Sequence, residues 1–433
     1  METSHESGID LDTPAKTVTI DEISRVTGMR QRPPVGIETG AAHAIFEPEN
    51  AEQIADLIRL CEEHAITLAP VGAGRTLATM RAEPVAIGVS MARMAALVAY
   101  EPDDMTVVAE AGMTMGALQD LLAARRQHLP LDPPQPATVT LGALVGAGRS
   151  GPCRLSEGTP RDLLIGVRFA GHGGRLVHGG GRVVKNVAGY DLMKVMTGSF
   201  GTLGIITEVT FRVRPLPERY RMVRIAFGTI DDAFGTARQI NNSVPLIHLE
   251  VLSPGAAARV GYSAQAGNYV VSAGICGNRA ETDYIAARID EISAAPVEVL
   301  QLASALKEYR AMRDLVHAPG EIALQIAVPP SALERCVSAA GADFRAHAGS
   351  GVAQLFISAD RPAEEIRDAV DQIRAIAVEA RGHLRVTSMP SGLSGVLDIF
   401  GTPNAGVMAL MRRLKLAFDP AGIFNPGSFV GGL

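Results

Sequence analysis

No Cys-x-x-Cys pair occurs in this 433-residue chain. Its four cysteines, Cys61, Cys153, Cys276 and Cys336, stand far apart, so the chain should hold no iron–sulfur cluster of its own. Reduced thiols in a large cytoplasmic enzyme are the expectation. The ten histidines form no His-x-His or His-x-x-x-His pair, which leaves no local ligand set for a metal. Nor is there a basic excess. Lys and Arg number 40 against 46 Asp and Glu, a net charge of -6, whereas a nucleic-acid partner requires a positive surface. No apolar run approaches the ~20 residues that cross a bilayer. The opening METSHESGIDLDTP is polar and acidic, unlike a secretory leader. Cytoplasmic residence is therefore expected, with any membrane association coming through partners.

What the chain does have is a glycine-punctuated stretch from Gly179 to Pro217. It opens on three glycines, Gly179, Gly180 and Gly181, and continues through a run with Val187, Tyr190, Leu192, Met193 and Met196 among polar residues. The turn Gly198-Ser199-Phe200-Gly201-Thr202-Leu203-Gly204 follows. Then Ile205, Val209, Phe211 and Val213 alternate with Glu208, Thr210, Arg212 and Arg214, the period of a half-buried strand, which Pro215 and Pro217 end. So many glycines in one helix-to-strand connection suit backbone pressed against a flat, extended ligand. A tight core turn without a ligand is the alternative reading.

Two earlier segments share that character. A polar N-terminal tail, with one short helix from Ile20 to Val26, precedes a helix that Asn50 caps and that buries Ile54, Leu57, Ile58 and Cys61. The strand Ile66 to Ala69 then enters Pro70-Val71-Gly72-Ala73-Gly74-Arg75-Thr76. A glycine-rich loop after a strand clusters backbone N–H groups, which suits a pyrophosphate. It is not the dinucleotide Gly-x-Gly-x-x-Gly pattern, because Leu77 stands at the third glycine's place. After Asp132-Pro133-Pro134, the small-residue run Thr138 to Gly151 leaves room for backbone to line a narrow cleft, or for a helix to pack closely on a sheet. Gly171-His172-Gly173-Gly174 reads as a plain hairpin turn with His172 facing solvent.

The segment GGRVVKNVAGYDLMKVMTGSFGTLGIITEV resembles the signature of the vanillyl-alcohol-oxidase (PCMH-type) FAD-binding flavoproteins. Its wording VKNVAGYDL is similar to that of the FAD-binding E subunits of bacterial glycolate oxidases. The resemblance covers about Ala51 to Pro217, and FDPAGIFNPG, residues 418–427, resembles the family's closing motif. It implies an α+β fold: a two-lobed FAD-binding domain over 34–217 after the 1–33 tail, an antiparallel-sheet α+β cap over 218–405, and a segment, 406–433, that returns to the FAD domain. It also implies FAD contacts at Pro70, Val71, Gly72, Ala73, Gly74, Arg75 and Thr76 around the pyrophosphate. Pro134, Thr140, Leu141, Gly142, Gly146, Ser150 and Gly151 would lie beneath the cofactor, joined by Asp162, Lys185, Asn186, Gly204, Ile205, Ile206 and Asn425.

The FAD is expected to be bound without a covalent link. Cys153 stands near these loops and is the residue an attached flavin would use, but an inert small side chain is the default reading. From Arg221 onward, short strands alternate with amphipathic helices, among them one that buries Ile285, Ile289 and Ile292. The cap offers no histidine–glycine metal motif of the kind that hydroxy-acid relatives carry. Lys185, Tyr190 and His383 are weak catalytic candidates. The first functional reading is a flavoprotein subunit of a glycolate-oxidase-like 2-hydroxy-acid dehydrogenase, passing electrons with a catalytic flavoprotein subunit and an iron–sulfur subunit. The others are a stand-alone FAD-dependent dehydrogenase or oxidase, and a non-catalytic scaffold of such a complex.

Overall fold

The computed structural model describes residues 18–35, 38, 41–72, 84–181, 190–262 and 267–433. The first unit contains two sheets. In one, Val85–Ser90 lies between Ala42–Glu47 and Leu68–Val71, both parallel to it. Arg30–Arg32 adds an antiparallel edge. The stretch read as a polar tail thus contributes structure, since Ile23 of the Ile20–Thr27 helix is buried. The helix signal was a Thr19–Glu22 capping box.

The second sheet is antiparallel, in the order Leu97–Glu101, Thr106–Glu110, Ile205–Arg212, Leu164–Gly171 and Arg175–Gly180. The alternating stretch after the glycine turn is therefore its central strand. Val209 and Phe211 are fully buried on it, while Arg212 is exposed. One apolar core joins both sheets to Ile423 and Phe424 near the C-terminus.

The second unit is built on one antiparallel sheet of eight strands. The Ile230–Ser243, Arg279–Ile292, Leu333–Ala340 and Ala363–Glu379 helices supply apolar residues to one face of it. Three strands, Val297–Leu300, Asp343–His347 and His383–Ser388, escaped the sequence reading. Asp343–His347 and His383–Ser388 are polar at most positions, and Val297–Leu300 is only four residues long, so none presents a clear strand pattern.

Period-two alternation gives this sheet a polar second face. Along His248–Leu252, Leu249 and Val251 join the helix-covered core, so His248 and Glu250 point the other way. Phe344 and Ala346 likewise face the helices, leaving Arg345 and His347 opposite. Such a face would ordinarily meet water. Here the first unit and the Leu302–Arg313 helix cover it, through Asp132, Cys153 and Tyr309.

Candidate functional site

The small-residue segments meet at a cleft of about 920 Å³, counting its part open to solvent. Its walls come from the end of Leu68–Val71, the Leu141–Gly146 helix, the glycine turn and the closing segment. The helix begins at Thr140, whose hydroxyl accepts from Ala143 N–H. The turn is tied to the helix by two backbone bonds, Gly198 N–H to the Val145 carbonyl at 3.0 Å and Phe200 N–H to the Gly146 carbonyl at 2.8 Å.

Gly201 has φ +70, and a Cβ there would stand 2.4 Å from Pro70 Cγ. Only glycine lets the turn close on the Pro70 wall. The chain's end completes the cleft. Leu68 N–H donates to the Ile423 carbonyl at 2.9 Å and Asn425 N–H to the Leu68 carbonyl at 2.7 Å. The Asn425 side-chain amide then donates to the Phe200 carbonyl at 2.7 Å. Lys415 anchors the segment, donating to the Thr202 and Phe424 carbonyls and pairing with buried Asp419 at 2.7 Å. The returning segment is thus held at both walls.

Of the residues expected to hold FAD, Pro70, Val71, Gly72, Thr140, Gly142, Gly146, Gly204, Ile206 and Asn425 line this cleft. Pro134, Leu141, Ser150, Gly151, Asp162 and Ile205 are not among its lining residues. Leu141 and Ile205 are core residues. Gly151 packs on Asp132, where a Cβ would meet the carbonyl at 2.0 Å, and Asp162 accepts from Thr159 in a capping box. Ala73, Gly74, Arg75, Thr76, Lys185 and Asn186 lie outside the described residues.

Tyr190 is 93 % exposed. His383 is exposed on an edge strand, two residues from Arg385. The sequence reading did not select Met91, Ala111, Ala143, Arg149, Ser199 or Phe200, which also line the cleft. Arg149 and the turn residues lay inside the segments it singled out, and the signal there was glycine spacing rather than side-chain chemistry.

These walls fit FAD. They are small-residue backbone, as a flat ring system requires, and a Cβ on Gly146 would meet nothing within 4 Å. The buried Ser199 hydroxyl in the same wall finds no protein partner among the described residues. An orphaned buried hydroxyl costs about 1–3 kcal/mol, which a ligand's polar edge would recover.

Residues 42–180 match the FAD binding domain family, and residues 403–429 match the C-terminal domain of FAD linked oxidases. Both matches are to FAD-binding flavoproteins. It is an FAD-dependent oxidoreductase, and FAD is its cofactor. Among relatives of this flavoprotein is a mitochondrial D-lactate dehydrogenase [cytochrome] of Arabidopsis thaliana, 25% identical over 419 residues, 88% of this chain and 72% of that one. Another, the glycolate oxidase subunit GlcE of Escherichia coli, is 38% identical over 122 residues, 28% of this chain and 35% of the relative. Among solved structures, 4-ethylphenol oxidase from Gulosibacter chungangensis superposes with a TM-score of 0.67 at 16% identity, over 89% of each chain. That likeness speaks for the fold.

A buried polar cluster stands between the two units. Asp132 accepts from the Tyr309 hydroxyl and from Cys153 N–H, the latter at 2.9 Å. Cys153 Sγ is 3.0 Å from the same hydroxyl. Burial first, and the Asp132 charge second, push this thiol well above its ordinary range, so it stays protonated and a poor nucleophile. Tyr220 bonds His248 Nε2 at 3.0 Å, and His347 Nδ1 lies 2.7 Å from Glu250 Oε1. Burial raises Glu250 to about 8 and lowers His248 to about 3. Both groups are held uncharged. Among the described residues no three His, Cys, Asp or Glu side chains are grouped to hold a metal ion.

Proposed function

We propose that this FAD-dependent oxidoreductase acts on a small 2-hydroxy acid as a flavoprotein subunit of a glycolate-oxidase-like dehydrogenase. The observation that carries the reading is the cleft closed by Asn425, in a chain with 38% identity to a glycolate oxidase subunit over 122 residues. Its cofactor-binding machinery would be the cleft-lining residues above, with Ala73, Gly74, Arg75, Thr76, Lys185 and Asn186 as further contacts.

FAD, when bound, supplies a two-electron acceptor for the substrate carbon. The chain's own part is to orient the substrate and to keep water from the reacting edge. Electrons would then leave to a catalytic flavoprotein subunit and an iron–sulfur subunit, because the chain itself contains no Cys-x-x-Cys pair. The domain limits 34–217, 218–405 and 406–433 belong to the same proposal. So does residence in the cytoplasm, with membrane association through partners; among the described residues no helix is long and apolar enough to cross a bilayer.

A stand-alone dehydrogenase is the second reading, favoured by the 25% identity to a D-lactate dehydrogenase over 88% of this chain. Anaerobic reduction separates the two. If the partner subunits complete the reacting site, the FAD-loaded chain mixed with glycolate or D-lactate should keep its oxidised visible spectrum alone and lose it when the co-purified partner subunits are added. Bleaching by the isolated chain would establish the stand-alone reading instead. An oxidised spectrum under both conditions would remove both.

A further inference from the structure

The Ala405–Phe418 helix is fastened to the first unit by one narrow face. A Cβ on Gly431 would stand 2.4 Å from Met408 Cε. The Lys415 ammonium donates to the Thr202 carbonyl at 2.9 Å, and the Phe418 ring lies 6.3 Å from that of Phe169. Spaced i, i+7 and i+10, these three residues define the inner side. Of the 14 helical residues only Met408 is buried.

The outer side follows from the same period. Leu410, Arg413 and Leu416 step across it at i, i+3 and i+6, with Leu414 beside them. Leu410 is 50 % and Leu416 67 % exposed. Apolar side chains grouped on one exposed face and rimmed by charge mark an interaction surface. The charge here is of one sign. No acidic residue occurs between Asp398 and Asp419, and Asp419 is held by Lys415, so Arg412 and Arg413 have no free acid on their own helix. In a chain of net charge -6, this face is basic.

That combination selects among occupants. A bilayer calls for an apolar outer side with cations at its flanks, whereas Arg413 stands in the middle, between Leu410 and Leu416. A second copy on a two-fold axis would set these arginines against their own equivalents. A protein surface with an apolar centre and an acidic rim meets both features. The helix's position says which protein. Thr202, which Lys415 holds, directly follows Phe200 and Gly201 of the cleft wall. A protein docked on the outer side would therefore stand about one helix diameter, 10–12 Å, from the cofactor cleft. A cluster held by cysteine thiolates is itself anionic.

We propose that the outer face of the Ala405–Phe418 helix docks the iron–sulfur subunit, through an apolar, acid-rimmed patch on that partner. This rests on the subunit reading above and names the surface where the acceptor is held. The helix positions the acceptor and carries no electron itself.

The probe is the cluster-bearing subunit that co-purifies with the wild-type chain from its native host, separated and titrated calorimetrically into the FAD-loaded chain. Affinity should fall at least tenfold in Leu410→Ser and in Arg413→Glu, and Arg413→Lys should recover most of the second loss. Both positions are exposed, so FAD content and melting temperature should be retained. Added salt should weaken the wild-type complex more than that of Arg413→Glu. Undiminished affinity in either folded variant would overturn the docking surface and leave the subunit reading standing. Flotation with phosphatidylglycerol vesicles and sedimentation of the chain alone test the other occupants. Vesicle binding or dimerisation that both substitutions abolish, with partner affinity unchanged, would give the face to a bilayer or a second copy. A wild-type chain that binds no cluster-bearing subunit would overturn the subunit reading and the docking surface together.

Discussion

Glu250 is a fully buried carboxyl, and its chemistry follows from that. Burial raises it to about 8, and the guanidinium charges of Arg345 and Arg154 offset only part of the rise. Against an ordinary value of 4.5, the folded chain keeps a proton that the unfolded chain releases. This favours folding below pH 4.5, and the contribution is lost as pH climbs through 8. His248 works in the opposite direction. Lowered from 6.5 to about 3, first by burial and then by His347, it favours folding above 6.5 and loses that contribution as pH falls. Between 4.5 and 6.5 the two slopes oppose each other. Between 6.5 and 8 Glu250 acts alone of the pair, at about 1.4 kcal/mol per pH unit. Glu250→Gln keeps the shape and cannot ionise. In urea melts at pH 6.5, 7.25 and 8, the wild type should lose on the order of 2 kcal/mol while the variant stays level. Parallel profiles would mean that Glu250 is ionised throughout.

The Leu141–Gly146 helix is short, and its function lies in what it leaves out. Gly146 ends it facing open space, while Leu141, Leu144 and Val145 fasten the opposite side into the core. A leucine at 146 would occupy the cleft without touching that core. Gly146→Leu is therefore expected to lower FAD retention after gel filtration at least tenfold, with the apoprotein melting within ~1 °C of wild type, since surface changes cost under about 0.5 kcal/mol. An apoprotein that melts much lower would show the position to be packing rather than cleft wall. The small residues of this segment were legible in the sequence as cleft wall or close packing, but the helix itself and its Thr140 cap were not. The central Ile205–Arg212 strand was legible through its alternation. The polar second face of the eight-stranded sheet was not legible as a buried site. Alternation states which residues leave the helix-covered core, but not whether water or another unit meets them. The sequence HLEVL reads the same in either case. Phe200 and Arg385 stand far apart in the chain, and only the way the two units meet brings the guanidinium over the ring.

That meeting is polar. Across it, the Asp132 carboxylate takes the Tyr309 hydroxyl, Gln135 N–H donates to Asp314 at 2.7 Å, and the Ser156 hydroxyl donates to the Ile247 carbonyl at 3.4 Å. Hydrogen bonds are directional, so they fix how the second unit is turned over the first more narrowly than apolar contact would. The orientation matters to the cleft because Arg385 reaches Phe200 from the second unit. Tyr309→Phe removes one hydroxyl that serves both Asp132 and Cys153, and leaves the ring against Tyr220 and His248. A bond to a charged group contributes about 1.5–3 kcal/mol. The loss should appear at the seam, not within the sheet. In hydrogen exchange, the Gln135 and Cys153 amides should exchange faster by roughly tenfold or more, the ratio that 1.4 kcal/mol sets. The amides of Tyr269–Gly277, a strand interior to the sheet, should keep wild-type protection. Equal loss of protection in the sheet would place Tyr309 in the core of the second unit, and the seam would then owe its geometry to other contacts.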